Sequence, residues 1–88
     1  MVLIILPNHL ARNRTAIVAG RSVGGAVQRN LAKRRLRSAF QSLQANLQQG
    51  YDLVVIARRQ FFEVDYQMLV GELRSLLEEA GLMKDNES

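Results

Sequence analysis

Apolar residues follow two rhythms along this 88-residue chain, and the change between them falls near Ser22. Before it, Val2–Leu6 is an unbroken apolar run closed by the turn signal Pro7-Asn8, and RTAIVAG, residues 14–20, is a second run of small and β-branched residues. Both predict strands, and the short polar link HLARN between them predicts a hairpin. After Ser22 the period lengthens. Ala32, Leu36, Ala39, Phe40, Leu43 and Leu47 recur at a spacing that places them on one face of a helix. Ser22 is its expected N-cap and Gly50 its expected left-handed terminator. YDLVVIA, residues 51–57, reads as a third strand, and the run Leu53–Ala57 predicts cover on both faces. RRQFFEV reads as a loop. A last helix is expected from near Asp65 to Gly81, with Leu69, Leu73, Leu76, Leu77 and Ala80 as its buried stripe. Gly71 inside it costs about 1 kcal/mol relative to alanine. The order strand–strand–helix–strand–helix gives an α+β fold, a small three-stranded sheet carrying a long helix and a C-terminal helix. Residues 1–83 are expected to form one domain, with 84–88 as a polar tail.

Charge changes this picture from a fold to a function. The net charge is +4, but it is segregated. Residues 1–50 hold Arg12, Arg14, Arg21, Arg29, Lys33, Arg34, Arg35 and Arg37 and no acid, while residues 51–88 hold four cations against eight acids, so that +8 and −4 make up the total. A solubilising surface mixes both signs, whereas a segregated basic half favours a polyanionic partner. Five of these cations fall within nine residues of the long helix. At about 100° per residue, Arg29, Asn30, Lys33, Arg34 and Arg37 occupy the arc beside the apolar stripe, and Arg35 lies on its other side. A merely solvated helix face would interleave glutamates as i,i+4 partners, and this helix has none.

Other chemistry finds less support. There is no cysteine, hence no disulfide and no thiolate metal site, as suits a cytoplasmic protein. The opening MVLIIL is too short for a signal-peptide core or a membrane span. His9 is the sole histidine and lies in a loop, and Ser22, Ser42 and Ser75 sit in no nucleophile motif, so no catalytic residue is expected on the protein. No histidine cluster or carboxylate loop suggests a metal site. GRSVGGAV, residues 20–27, opens a helix and is glycine-rich, but it follows neither nucleotide-binding glycine pattern; beside Arg21 it suits a backbone phosphate of a larger polyanion. A membrane-surface role would need the apolar face that the core requires, and no helix-turn-helix partner precedes the helix for reading DNA. RNA fits better, because arginines pair bidentately with phosphates and stack on bases.

The stretch GRSVGGAVQRNLAKRRLRSAF resembles the signature of the bacterial ribonuclease P protein subunit, in which a glycine–alanine–valine entry leads into an arginine–asparagine–arginine helix. The likeness continues through GYDLVVIAR and LLEEAGLM and backwards through RTAIVAG to VLIILPN, covering nearly the whole chain. It implies an RNA-binding subunit of an endoribonuclease that removes the 5′ leader from precursor tRNA, with the catalytic RNA and magnesium ions performing the phosphodiester hydrolysis. Partners implied are that catalytic RNA, one protein per RNA, and precursor tRNA. The RNA-binding role falls on Arg29, Asn30, Lys33, Arg34, Arg35 and Arg37, with Arg21 just ahead of the helix and Arg14 opening the second strand. The fold implied is that of domain 2 of ribosomal protein S5, with a left-handed crossover between two parallel strands, a hand that general statistics disfavour. Leu31 stands where the family has its second arginine, and Ser22 where a lysine is common. The family ordinarily has an N-terminal helix and a short strand ahead of the point matching Met1, and the chain is expected to lack both. Another RNA-binding module, such as a ribosome-associated protein using the same helix, is the alternative.

Overall fold

The computed structural model describes residues 1–58 and 65–84. Three strands form one sheet: β1 (Val2–Pro7), β2 (Arg14–Ala19) and β3 (Tyr51–Ala57). Their spatial order is β1-β3-β2, with β3 antiparallel to β1 and parallel to β2. The hairpin expected from the short link therefore does not form. Residues 8–13 instead pass over the end of β3, and asparagines tie them down. The Asn8 backbone N–H donates to the Gly50 carbonyl at 2.9 Å, and the Asn13 side chain accepts from the Tyr51 N–H at 2.9 Å and donates to the Gln48 carbonyl at 2.8 Å. Within the link, Asn8 Oδ1 accepts from the Leu10 N–H at 2.8 Å, a local turn around the exposed His9 at φ 59°.

The long helix α1 spans Ala26–Leu43 and crosses from β2 to β3; α2 spans Tyr66–Glu79. Ser22 is not the N-cap of α1. It lies in a short 3₁₀ turn, Arg21–Val23, and Gly25 caps the helix, its N–H donating to Gln28 Oε1 at 3.1 Å. Gly24 supplies the hinge between turn and helix at φ 142°, where a Cβ would come within 2.9 Å of the Gln28 Cβ. At the other end α1 stops at Leu43, seven residues before Gly50, and a 3₁₀ turn over Gln44–Asn46 follows. Helix α2 begins as expected after Asp65. It ends in a Schellman motif: Gly81 at φ 77° donates to the Glu78 carbonyl and Leu82 to the Leu77 carbonyl, each at 3.0 Å.

Both helices cover one face of the sheet. The expected α1 stripe, Ala32, Leu36, Ala39, Phe40, Leu43 and Leu47, is buried throughout. It meets Leu53, Val55 and Ala57 from β3 and Leu69, Leu73 and Leu77 from α2. On α2 the expected stripe narrows, with Leu76 half-buried and Ala80 exposed, while Leu82 beyond the cap is buried. The opposite face of the sheet carries Ile4, Leu6, Ala16, Val18, Val54 and Ile56 in register. Cover on both faces of β3 was expected, but Val54 and Ile56 are only half-buried, and among the described residues no helix lies over them. An apolar run shows that a strand is central; it does not show that its second face is covered. The fold class is the expected α+β arrangement of a three-stranded sheet, a long basic helix and a C-terminal helix.

Candidate nucleic-acid interface

Packing of Leu36, Ala39, Phe40 and Leu43 against the sheet fixes the rotation of α1, and that rotation turns the cationic arc outward. Asn30, Lys33, Arg34 and Arg37 line one cleft of about 610 Å³ together with Val27, which is 78% exposed. Arg34 and Arg37 are exposed, and Lys33 is half-buried. Arg29 lies nearest the core side of the arc. It is half-buried, and its Nε is enclosed with no hydrogen-bond partner among the described residues.

The ion pairs of the described residues lie elsewhere, joining the Met1 amino group to Glu72, Arg14 to Asp52 and Arg74 to Glu78. No described carboxylate pairs with Arg21, Arg29, Lys33, Arg34 or Arg37. Like charges packed this closely repel one another, so an anion entering the cleft relieves a cost as well as gaining an attraction.

The remaining predicted residues are placed differently. Arg21 is exposed in the 3₁₀ turn before α1. Arg35 is half-buried across the apolar stripe from the cleft and has an interaction of its own within the chain. Arg14 lies on the sheet face away from α1, in register with Asp52. Its Nε and Nη2 groups donate to the two Asp52 carboxylate oxygens at 2.8 and 2.9 Å, and Asn8 Nδ2 donates to the same carboxylate at 3.0 Å. Hydrogen bonds from Arg14 and then Asn8 draw the Asp52 pKa down to about 2. Arg14 therefore carries its own counter-ion, unlike the α1 row. Arg58 is exposed at the end of β3; Arg59 and the loop residues 59–64 lie outside the described residues, as do 85–88 of the expected tail.

The cationic arc expected from the sequence ends at Arg37, but a polar arc runs on. Gln41 and Gln44 follow at helical spacing, and with Thr15, Phe40 and the same Arg37 they line a second cleft of about 180 Å³ at the edge of β2. Their i+4 and i+7 offsets from Arg37 were a readable signal.

A small α+β domain displaying a carboxylate-free cationic helix face defines a polyanion-binding protein of the kind that docks on structured RNA. Comparison with known proteins narrows this. The Ribonuclease P family matches residues 1–81. The ribonuclease P protein component of Caldanaerobacter subterraneus subsp. tengcongensis is 36% identical over 87 residues, which is 99% of this chain and 75% of that protein. The RNase P protein from Thermotoga maritima superposes with a TM-score of 0.80 at 31% identity, covering 88% of this chain and 74% of that one. The Staphylococcus aureus RNase P protein, at 24% identity and TM-score 0.80 over 93% of this chain and 75% of that one, shares the fold. The chain belongs to the ribonuclease P protein family, whose members work with an RNA subunit in the endoribonuclease of tRNA 5′ maturation.

Proposed function

We propose that this chain docks on the catalytic RNA of ribonuclease P through the α1 cleft, and that the complex, one protein per RNA, removes the 5′ leader from precursor tRNA in the cytoplasm. Residues 1–83 act as one RNA-binding domain. The single observation that carries this reading is the row Arg29, Lys33, Arg34 and Arg37, unpaired among the described residues and set beside Asn30 on a helix whose other face is locked in the core. Phosphates replace the missing counter-ions, releasing condensed cations from the RNA, and Asn30 adds a neutral donor and acceptor among them. Arg21 extends the row towards the N-terminus of α1, Arg35 contributes from its flank, and Arg14, on the other sheet face and paired with Asp52, contributes least.

Magnesium ions supply the Lewis-acid chemistry of the hydrolysis when bound to the RNA. The cleft lining of guanidinium, ammonium, amide and valine offers no ligand set for them, and the described residues contain no cluster of three carboxylate or histidine groups. No chemical step is therefore assigned to a protein side chain. The chain's own contribution is electrostatic: it screens the repulsion between RNA phosphates and between the RNA and its tRNA substrate.

Reconstitution tests this. Cleavage of precursor tRNA by a ribonuclease P RNA at limiting magnesium is expected to be faster with the chain than without it. Tight, salt-sensitive binding to that RNA with no stimulation of cleavage would turn the reading towards another structured RNA, such as that of the ribosome.

A further inference from the structure

The second cleft differs in chemistry from the first. It lies between the free edge of β2 and the C-terminal half of α1, and apart from Arg37 its lining is uncharged: the Thr15 hydroxyl, the Gln41 and Gln44 amides, and Phe40 closing the bottom. Thr15 lies on the helix-covered face of the sheet, in register with Leu53, yet it is exposed because β2 is an edge strand. Asn8, Asn13, Gln28 and Gln49 all bond to their own chain, whereas Gln41 and Gln44 make no side-chain hydrogen bond among the described residues. Of the described amides, Asn30, Asn46, Gln48 and Gln67 also keep their side chains unbonded, but only Gln41 and Gln44 line this cleft together. At about 180 Å³ the open cleft has room for one base with its ribose partly outside, and not for a run of nucleotides. Arg37 lines both clefts, so a strand whose phosphate it holds delivers the next nucleoside to the amides.

We propose that the cleft of Thr15, Phe40, Gln41 and Gln44 takes a single nucleoside of the RNA docked on α1, next to the phosphate held by Arg37, and reads its ribose hydroxyl and base edge through uncharged hydrogen bonds. A glutamine amide presents a donor and an acceptor together, the pairing that a base edge offers, and the ribose 2′-hydroxyl can serve as either. The proposal deepens the RNA-docking function above and depends on it. The cationic cleft supplies affinity that any phosphate chain would satisfy, and this one supplies a preference for RNA whose strand leaves a nucleoside unpaired at that position.

Binding of the full chain to a ribonuclease P RNA transcript, titrated across a salt series, separates the two contributions. Each lost neutral hydrogen bond weakens binding about three- to tenfold without releasing a counter-ion. Gln41→Ala/Gln44→Ala is therefore expected to bind at least about tenfold more weakly at every salt concentration, with the slope of log K against log salt unchanged. Thr15→Val, close in shape, is expected to weaken binding in the same way, and Gln67→Ala, exposed on α2, to leave it unaltered. Thermal melts show that each variant is folded. Binding of the double variant within twofold of wild type, while the wild type keeps a steep slope, would overturn the nucleoside assignment and leave RNA docking intact. A reduced slope in the double variant would also overturn it, by making the amides part of the phosphate track. A flat wild-type response would remove the docking function itself and this assignment with it.

Discussion

Removing one cation from the α1 row gives the sharpest test of how this protein binds. Arg29, Lys33, Arg34 and Arg37 lack carboxylate partners among the described residues, so each arrives at the RNA with its full charge. With each neutralised phosphate contributing about −0.7 to −0.9 to the slope of log K against log salt, these cations alone predict a slope of about −3 to −3.5. Between about 50 and 200 mM salt that is a loss of roughly a hundredfold in affinity. Arg34→Ala or Arg37→Ala is expected to make the slope shallower by about 0.7–0.9, with little change in melting temperature, because both side chains are exposed. Arg14→Ala makes the informative contrast. Arg14 is already neutralised by Asp52, so its removal is expected to change the slope by much less. Filter binding or fluorescence anisotropy on a ribonuclease P RNA transcript over a salt series reads both quantities. A wild-type slope in the Arg34 and Arg37 variants, or an equal change on removing Arg14, would refute the assignment of the α1 arc as the phosphate-binding surface.

Other consequences concern the fold. Leu36→Ala, at a fully buried position facing the sheet, is expected to destabilise by about 2–5 kcal/mol in denaturant titration, leaving the salt slope of RNA binding unchanged where the protein stays folded. Gly24→Ala is expected to cost about 1–3 kcal/mol, since its backbone conformation belongs to glycine and the added methyl meets Gln28, whereas Gly71→Ala, where a Cβ meets nothing within 4 Å, is expected to stabilise by about 0.5–1 kcal/mol. The Asp52 pKa, drawn from 3.8 to about 2, makes the ion pair with Arg14 fully stabilising above about pH 4 and progressively lost as pH falls towards 2. Melts across that range are expected to show wild type above Asp52→Asn at neutral pH and the gap closing on acidification; a gap independent of pH would contradict the pairing.

Much of this architecture was readable in the residue pattern, for a physical reason. The spacing of Leu36, Ala39, Phe40 and Leu43 encodes a helix face directly, and the same spacing places Arg29, Lys33 and Arg37 beside it, so the core and the candidate RNA-binding surface were legible together. Strand pairing was not. Nothing within residues 1–20 reveals that β1 and β2 flank a strand beginning at Tyr51, because that choice is made by hydrogen bonds across more than thirty residues. The same distance hid the Arg14–Asp52 pair, which connects residues 38 apart in sequence. Helix ends failed locally instead: Ser22 is a good cap by composition, but the glycine pair at 24 and 25 lets the chain make a separate turn before α1 starts.

The placement of β3 between the other two strands also bears on how the chain assembles. A hairpin could close as soon as its second strand was synthesised, but here, among the described residues, the strand that pairs with both β1 and β2 is β3, at residues 51–57. Closing so large a loop carries an entropic cost that the completed sheet offsets, and the core residues Leu53, Val55 and Ala57 come from β3, whereas all eight positive charges of residues 1–50 precede it in the chain. The order of synthesis thus places the polycationic half ahead of the strand that completes the sheet beneath it.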